Sequence, residues 1–298
     1  MKILVTGSEG NIGRKLVPYL RKCGHKVIRA DIKQGFADDY YQTDICSPID
    51  LFNNEIMKFK PDVVYHLAAM VSRITCEKAP HLTIDTNVSG TINVIQLCKL
   101  LDARLINFST SEVYGNIKDL MSEENEPQPN NLYGLSKYLA EEIIHYECDN
   151  LKSIIVRPFM IYDEDETLGV HRSAMIRFVE NLIQGNKIQI HDGANRSWLH
   201  INDAVILFEK LLNPSLFPLT LNIGHPINYR MCVLVQMICD ELKLNYDNMV
   251  ETLPLPEKMT LIKIPNLNLQ DYYLKYTPKI SLEEGIDRVI KKVKERLK

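Results

Sequence analysis

Met1-Lys-Ile-Leu-Val-Thr-Gly-Ser-Glu-Gly-Asn-Ile-Gly13 decides how the rest of the chain is read. Ile3, Leu4 and Val5 form a short apolar run rich in β-branched residues, which reads as a buried strand. Gly7, Gly10 and Gly13 follow at a three-residue spacing. Ile12, Leu16, Val17 and Leu20 then recur at the spacing of a helix face. A strand, a glycine turn and a helix form the unit that binds a dinucleotide. One glycine permits the sharp turn, one lets backbone N–H groups approach a pyrophosphate, and one lets helix and strand pack closely. The helix N-terminus adds partial positive charge and free donors. A glycine triplet alone also fits an ordinary strand-to-helix turn. An acid about twenty residues on separates the two readings, because it can bond a ribose hydroxyl. Lys26-Val-Ile-Arg-Ala30 reads as a second strand, and Asp31 stands at its end.

The pattern continues outward from there. Tyr40 to Asp44 reads as a third strand and Pro48 to Lys58 as a helix. Asp62 to Ala69 is a fourth strand running into small residues, where two alanines permit close approach by a ligand. Helix is expected from Pro80 to Leu101, strand from Arg104 to Ser109, loop over 116–131, helix from Tyr133 to Glu147 and strand from Ser153 to Arg157. Such alternation predicts an α/β fold: a Rossmann-type, doubly wound parallel sheet with right-handed crossovers. Its ligands sit beyond the carboxyl ends of the strands. The last third changes character. An acidic loop from Tyr162 to Gly169 precedes helical periodicity near 172–185, 202–212, 231–243 and 281–296, with proline-marked stretches between. This predicts a dinucleotide domain over 1–162 and a smaller C-terminal, substrate-binding lobe over 163–298, some of whose segments return to the first domain.

A chain of 298 residues with 45% hydrophobic and 24% charged content reads as a soluble globular protein. A net charge of −3 without a basic stripe argues against nucleic acid or an anionic membrane as partner. Seven dispersed cysteines fit neither a zinc site nor a disulfide framework. Most fall in apolar stretches, so buried thiols in a reducing cytoplasm are expected. The N-terminus reads as a strand and not a signal peptide, and no metal site is expected.

Two stretches could carry chemistry. Tyr133 and Lys137 are four apart on one helix and share a face. A tyrosine is a poor base at neutral pH, but a nearby ammonium favours its phenolate. The pair could take a proton from an alcohol while hydride leaves its carbon. Ser109-Thr-Ser-Glu-Val-Tyr-Gly115 places short polar side chains at a strand's carboxyl end, which is unfavourable unless they are bonded or useful. Thr110 could donate to the same substrate oxygen. Glu112 reads as a base or as a solvated loop carboxylate.

Together these residues resemble the extended short-chain dehydrogenase/reductases, specifically the nucleotide-sugar epimerase/dehydratase family. The resemblance runs from residue 1 to about residue 290. It rests on Thr6 to Gly13, Asp31, Asp44-Ile45, His66-Leu-Ala-Ala69, Asn87, Ser109 to Gly115, Tyr133-x-x-x-Lys137, Arg157-Pro158, Arg196 to Asp203 and Leu221-Asn-Ile-Gly224. It implies NAD as cofactor, held by Gly7, Gly10, Asn11, Ile12, Gly13, Asp31, Asp44, Ile45, Leu67, Ala68, Ala69, Asn87, Tyr133, Lys137 and Pro158. It implies Thr110, Ser111, Glu112, Tyr133 and Lys137 as catalytic residues. Val71 and Arg196 would meet a nucleotide-diphosphate sugar, Arg196 as a clamp on the diphosphate. A homodimer through the Tyr-x-x-x-Lys helix and the helix near 88–101 is also implied.

The reaction implied begins with oxidation of the sugar at C4. Thr-Ser-Glu at 110–112 resembles certain dehydratases and uronate decarboxylases, and simple 4-epimerases usually lack the glutamate. A 4,6-dehydratase is the first expectation. A 4-epimerase, a uronate decarboxylase and a C4 dehydrogenase are the alternatives, and a non-catalytic dinucleotide sensor is the remote one. Two departures stand out. Met160 replaces the family's asparagine, and Asp163-Glu164 replaces its usual Gly-Pro.

Overall fold

The computed structural model describes residues 1–298 apart from 118, 169–172, 192, 218, 255, 257 and 258. Ends of the expected acidic loop and of the helix near 172–185 therefore lie outside the described residues, as does part of the proline-marked stretch at 253–256. Seven parallel strands form the central sheet: β1 (Lys2–Thr6), β2 (Lys26–Asp31), β3 (Tyr40–Gln42), β4 (Val63–His66), β5 (Arg104–Phe108), β6 (Ser153–Pro158) and β7 (Leu219–Ile223). Their order is β7-β6-β5-β4-β1-β2-β3. The chain runs outward from β1 to β3, then returns to place β4 on the other side of β1. That reversal opens a crevice beyond the carboxyl ends of β1 and β4.

The apolar run of β1 is continuous because helices cover both faces of the strand. Ile3 and Val5 belong to one core with Leu16, Val17 and Leu20 of α1 (Gly13–Lys22). Leu4 belongs to another with Val94, Leu97 and Cys98 of α2 (Gly90–Leu101) and Ile144 of α3 (Leu132–Tyr146). A third core lies in the C-terminal lobe, among α4 (Ala174–Ile183), α6 (Met231–Leu242) and α7 (Leu282–Arg296). Between them in sequence, α5 (Ile201–Lys210) and β7 return to the first core, where the Phe208 carbonyl accepts a 2.7 Å bond from the Tyr65 hydroxyl.

Several elements depart from the sequence reading. The helix expected over 48–58 is two short helices, Pro48–Leu51 and Asn54–Phe59. Asn53 lies between them in extended backbone and caps the second, accepting from Glu55 N at 3.1 Å and Ile56 N at 3.0 Å. The helix expected over 80–101 is interrupted by a π-helical turn, Asp85–Ser89. That turn carries Asn87, whose buried amide bonds Met70 N, Met70 O and Ser136 Oγ at 2.7, 3.0 and 2.9 Å. The cysteines are free, yet only Cys76, Cys98 and Cys239 are buried. Cys23, Cys148 and Cys232 face solvent because they sit on the outer side of their helices or in turns.

Candidate active site

A cleft of about 620 Å³ occupies the crevice. Gly7, Gly10, Asn11, Ile12, Gly13, Asp31, Asp44, Ile45, Leu67, Ala68, Ala69, Val71, Tyr133 and Pro158 all line it. The glycine loop has no room for larger residues. Gly7 has φ +68°, and a Cβ there would lie 2.5 Å from Ala68 N. A Cβ on Gly13 would lie 2.5 Å from Gly7 O. The α1 N-terminus carries no side-chain cap; Arg14 N and Lys15 N are bonded to the Gly10 and Ile12 carbonyls, and the positive end of the helix faces the glycine loop. Asp31 closes the end of β2, accepting from Glu9 N at 2.8 Å and Lys33 N at 3.1 Å. These bonds fix a carboxylate at the edge of the cleft, where a ribose hydroxyl would be received. The cradle therefore fits a dinucleotide. Asn87 does not line the cleft; through its bonds to residue 70 and Ser136 it ties the 67–70 turn to α3.

Asn131 begins α3 by accepting from Gly134 N at 2.9 Å. A Cβ on Gly134 would lie 2.6 Å from Glu112 O, so the helix start rests directly on the turn Ser111–Tyr114. That contact brings the Tyr133 phenol to the Thr110 hydroxyl, which eases its ionisation. Thr110 Oγ1 also caps the turn, accepting from Glu112 N at 3.2 Å, and Ser111 is buried inside it. The phenol's acidity moves opposite to expectation. Burial pushes its pKa well above the ordinary tyrosine value, and Thr110 works against that without reversing it. Burial pushes Lys137 down to about 8, and the charge of Glu141 one turn along opposes it. Glu141 is held by Arg157 at 2.6 and 3.1 Å, with both side chains almost fully buried.

Glu112 is not a solvated carboxylate. Lys263 Nζ is bonded to it, Asn131 Nδ2 donates to it at 3.1 Å, and Arg73 Nε lies 3.9 Å away. Burial alone would raise its pKa; Lys263, Arg73 and Asn131 together hold it below the usual carboxylate range. Lys263 is buried in turn and is pushed down to about 8, with Glu112 opposing. Arg196 is placed differently from its expected clamp. Its guanidinium donates to the carbonyls of Asn195, Thr260 and Leu261 at 2.8, 2.7 and 2.5 Å, and it does not line the cleft. It holds the segment that delivers Lys263. Burial lowers its pKa to about 10. Sequence reading missed Arg73 and Lys263. The second lies 151 residues from its partner, and no local pattern marks it.

Residues 3–224 match the model of the NAD dependent epimerase/dehydratase family. The chain belongs to that family. The enzyme is 28% identical over 304 residues to UDP-glucuronic acid decarboxylase 6 of Arabidopsis thaliana, covering 96% of this chain and 87% of the relative. It is 27% identical over 281 residues to GDP-6-deoxy-D-talose 4-dehydrogenase of Aggregatibacter actinomycetemcomitans, covering 87% and 90%. Its fold matches the crystal structure of UDP-glucose 4-epimerase from Thermotoga maritima with a TM-score of 0.90, at 23% identity and full coverage of both chains. The family's cofactor is NAD. Among the described residues no group of three His, Cys, Asp or Glu side chains could hold a metal ion, and no helix is long and apolar enough to cross a membrane.

Proposed function

We propose that this enzyme oxidises a nucleotide-diphosphate sugar at C4. The observation that carries the reading is Tyr133, which lines the dinucleotide cleft with its phenol beside Thr110 and Lys137 one turn along the same helix. NAD, held by the glycine loop, Asp31, Asp44 and Ile45, supplies the hydride acceptor. Tyr133 takes the C4 hydroxyl proton, and Thr110 donates to the oxygen that loses it. Lys137, buried one turn along and bonded to no carboxylate among the described residues, is proposed to hold the nicotinamide ribose. Pro158 borders the nicotinamide.

Among the later steps, loss of carbon dioxide from a 4-keto uronate has the best support. Dehydration across C5 and C6 needs a base for the C5 proton and an acid for the departing hydroxyl. The chain has Ser111 beside Glu112, and a serine hydroxyl is a weak acid. A β-keto acid needs no such pair to lose carbon dioxide. Its enol product then needs a proton at C5, and Lys263 titrates near neutrality. Arg73, Arg196 and Lys263 all act on the carboxylate of Glu112. The likeness to a UDP-glucuronic acid decarboxylase points the same way. Incubating the purified enzyme with NAD and a panel of uronate and hexose nucleotides should release carbon dioxide and a nucleotide pentose from one uronate. A 4-keto-6-deoxy product would assign dehydratase activity instead, a C4 epimer would assign epimerase, and a stable ketone with stoichiometric NADH would assign a dehydrogenase.

The enzyme is proposed to work as a homodimer. Leu100 of α2 and Leu135, Leu139 and Tyr146 of α3 are exposed apolar side chains on the two helices concerned. The free cysteines support a reducing, cytoplasmic setting.

A further inference from the structure

One stretch of the cleft wall carries four consecutive acids, Asp163-Glu-Asp-Glu166. Asp163, Glu166 and Thr167 line the same cleft as the glycine loop. Four carboxylates beside a bound pyrophosphate would repel it and one another unless cations cancel them. The cations come from two distant elements. Lys15, in the first turn of α1, lies 2.7 Å from Asp165 and 3.3 Å from Asp163. On α7, Arg288, Lys292 and Arg296 are spaced four apart and present one face. Lys292 lies 3.2 Å and Arg296 3.3 Å from Asp165. Arg296 also donates to the Glu166 carbonyl at 2.6 Å. Arg288 lies 4.0 Å from Glu164, which faces His200 at 2.8 Å. One turn before Arg288, Gly285 meets the Tyr162 hydroxyl, which also fixes the start of this stretch against α7. A small pocket of about 320 Å³, lined by Asn11, Arg14, Lys15, Asp163 and Asp165, adjoins this junction of glycine-loop helix and acidic stretch.

We infer that Lys292 and Arg296, on the last helix of the chain, are positioning residues of the dinucleotide site. With Lys15 they hold the 163–166 stretch as a fixed wall of the cleft and cancel its charge, which slows exchange of the dinucleotide. The inference rests on the proposal that this cleft holds NAD. A single half-exposed ion pair contributes little. Here several cations converge on one carboxylate and one carbonyl, so the wall stays in place only while they act together. Salt screens such pairs, and the wall should loosen as ionic strength rises.

The test uses the full chain loaded with NADH and chased with excess NAD⁺, following loss of bound-NADH fluorescence by stopped flow at low and high salt. In the double variant Lys292→Gln, Arg296→Gln, release at low salt should quicken about three- to tenfold. Its dependence on salt should be flatter than in the wild type. The charge-preserving double variant Lys292→Arg, Arg296→Lys should release slowly, as the wild type does. Equal rates and equal salt slopes in wild type and glutamine variant would overturn the inference. A charge-preserving variant as fast as the glutamine one would overturn it too, by assigning the effect to packing. Failure of the wild type to bind NADH at all would instead bring down the assignment of the cleft, and the inference with it.

Discussion

Replacing Lys137 by Met should stabilise the protein at neutral pH while removing its activity. Lys137 is wholly buried on α3, and burial takes its pKa from 10.5 to about 8. At about 1.4 kcal/mol per unit, the protonated side chain weakens the folded state by about 3 kcal/mol. The sign follows from proton counting. Below pH 8 both folded and unfolded chains carry the proton, so the full penalty applies. Between about 8 and 10.5 the folded chain releases the proton while the unfolded chain keeps it, and stability rises with pH. Above 10.5 the penalty is gone. Methionine has similar length, bends to fill the same space and carries no charge. Its introduction orphans no other ion, because Glu141 keeps Arg157 at 2.6 and 3.1 Å. Equilibrium denaturation at several pH values, with helical circular dichroism as the signal, measures the difference. At pH 7 the variant should be more stable by about 3 kcal/mol, roughly 5 °C in melting temperature for a chain of this length. The gap should narrow steadily towards pH 10. A variant less stable than wild type at pH 7, or a gap that does not close as pH rises, would refute the reasoning.

Three further outcomes are expected. Tyr133→Phe should lower C4 oxidation by about 10²- to 10⁴-fold, read as NADH formation, with the unfolding transition unchanged; wild-type turnover would defeat Tyr133 as the base. Glu112→Gln should leave Lys263 buried without its carboxylate and lower stability at pH 7 by about 3 kcal/mol in denaturant titration. The same variant should still form NADH from the sugar nucleotide but complete the reaction more slowly, because Lys263 loses the counter-ion that keeps it protonated, seen by product chromatography. Gly285→Ala should destabilise by about 1–3 kcal/mol despite alanine's better helix propensity, because its Cβ would fall on the Tyr162 hydroxyl; a melting temperature at or above wild type would contradict that contact.

The parts of this protein that could be read from its sequence are those whose cause is local. A strand buried on both faces must be apolar throughout, so Ile3 to Val5 announces β1 without reference to anything else. Gly7 is needed for a backbone turn against Ala68, and that need leaves a glycine in the text. Tyr133 and Lys137 share a face because a helix repeats every 3.6 residues. The seventh strand, Leu219–Ile223, was not legible: five residues broken by Thr220 and Asn222 fit several structures until the sheet edge beside β6 receives them. The break at Asn53 turns on one side chain bonding backbone rather than water. Glu112 marks the limit most sharply. Its presence was legible, but its state was not, since that state depends on Lys263, brought to it from 151 residues away by a segment pinned through Arg196. A carboxylate open to water could serve as the free base of a dehydratase. One bonded to a buried ammonium is already committed as the counter-ion of a candidate proton donor. The chemistry read at position 112 therefore follows from the residue at position 263, and substituting Lys263 should alter the later step even where Glu112 is left untouched.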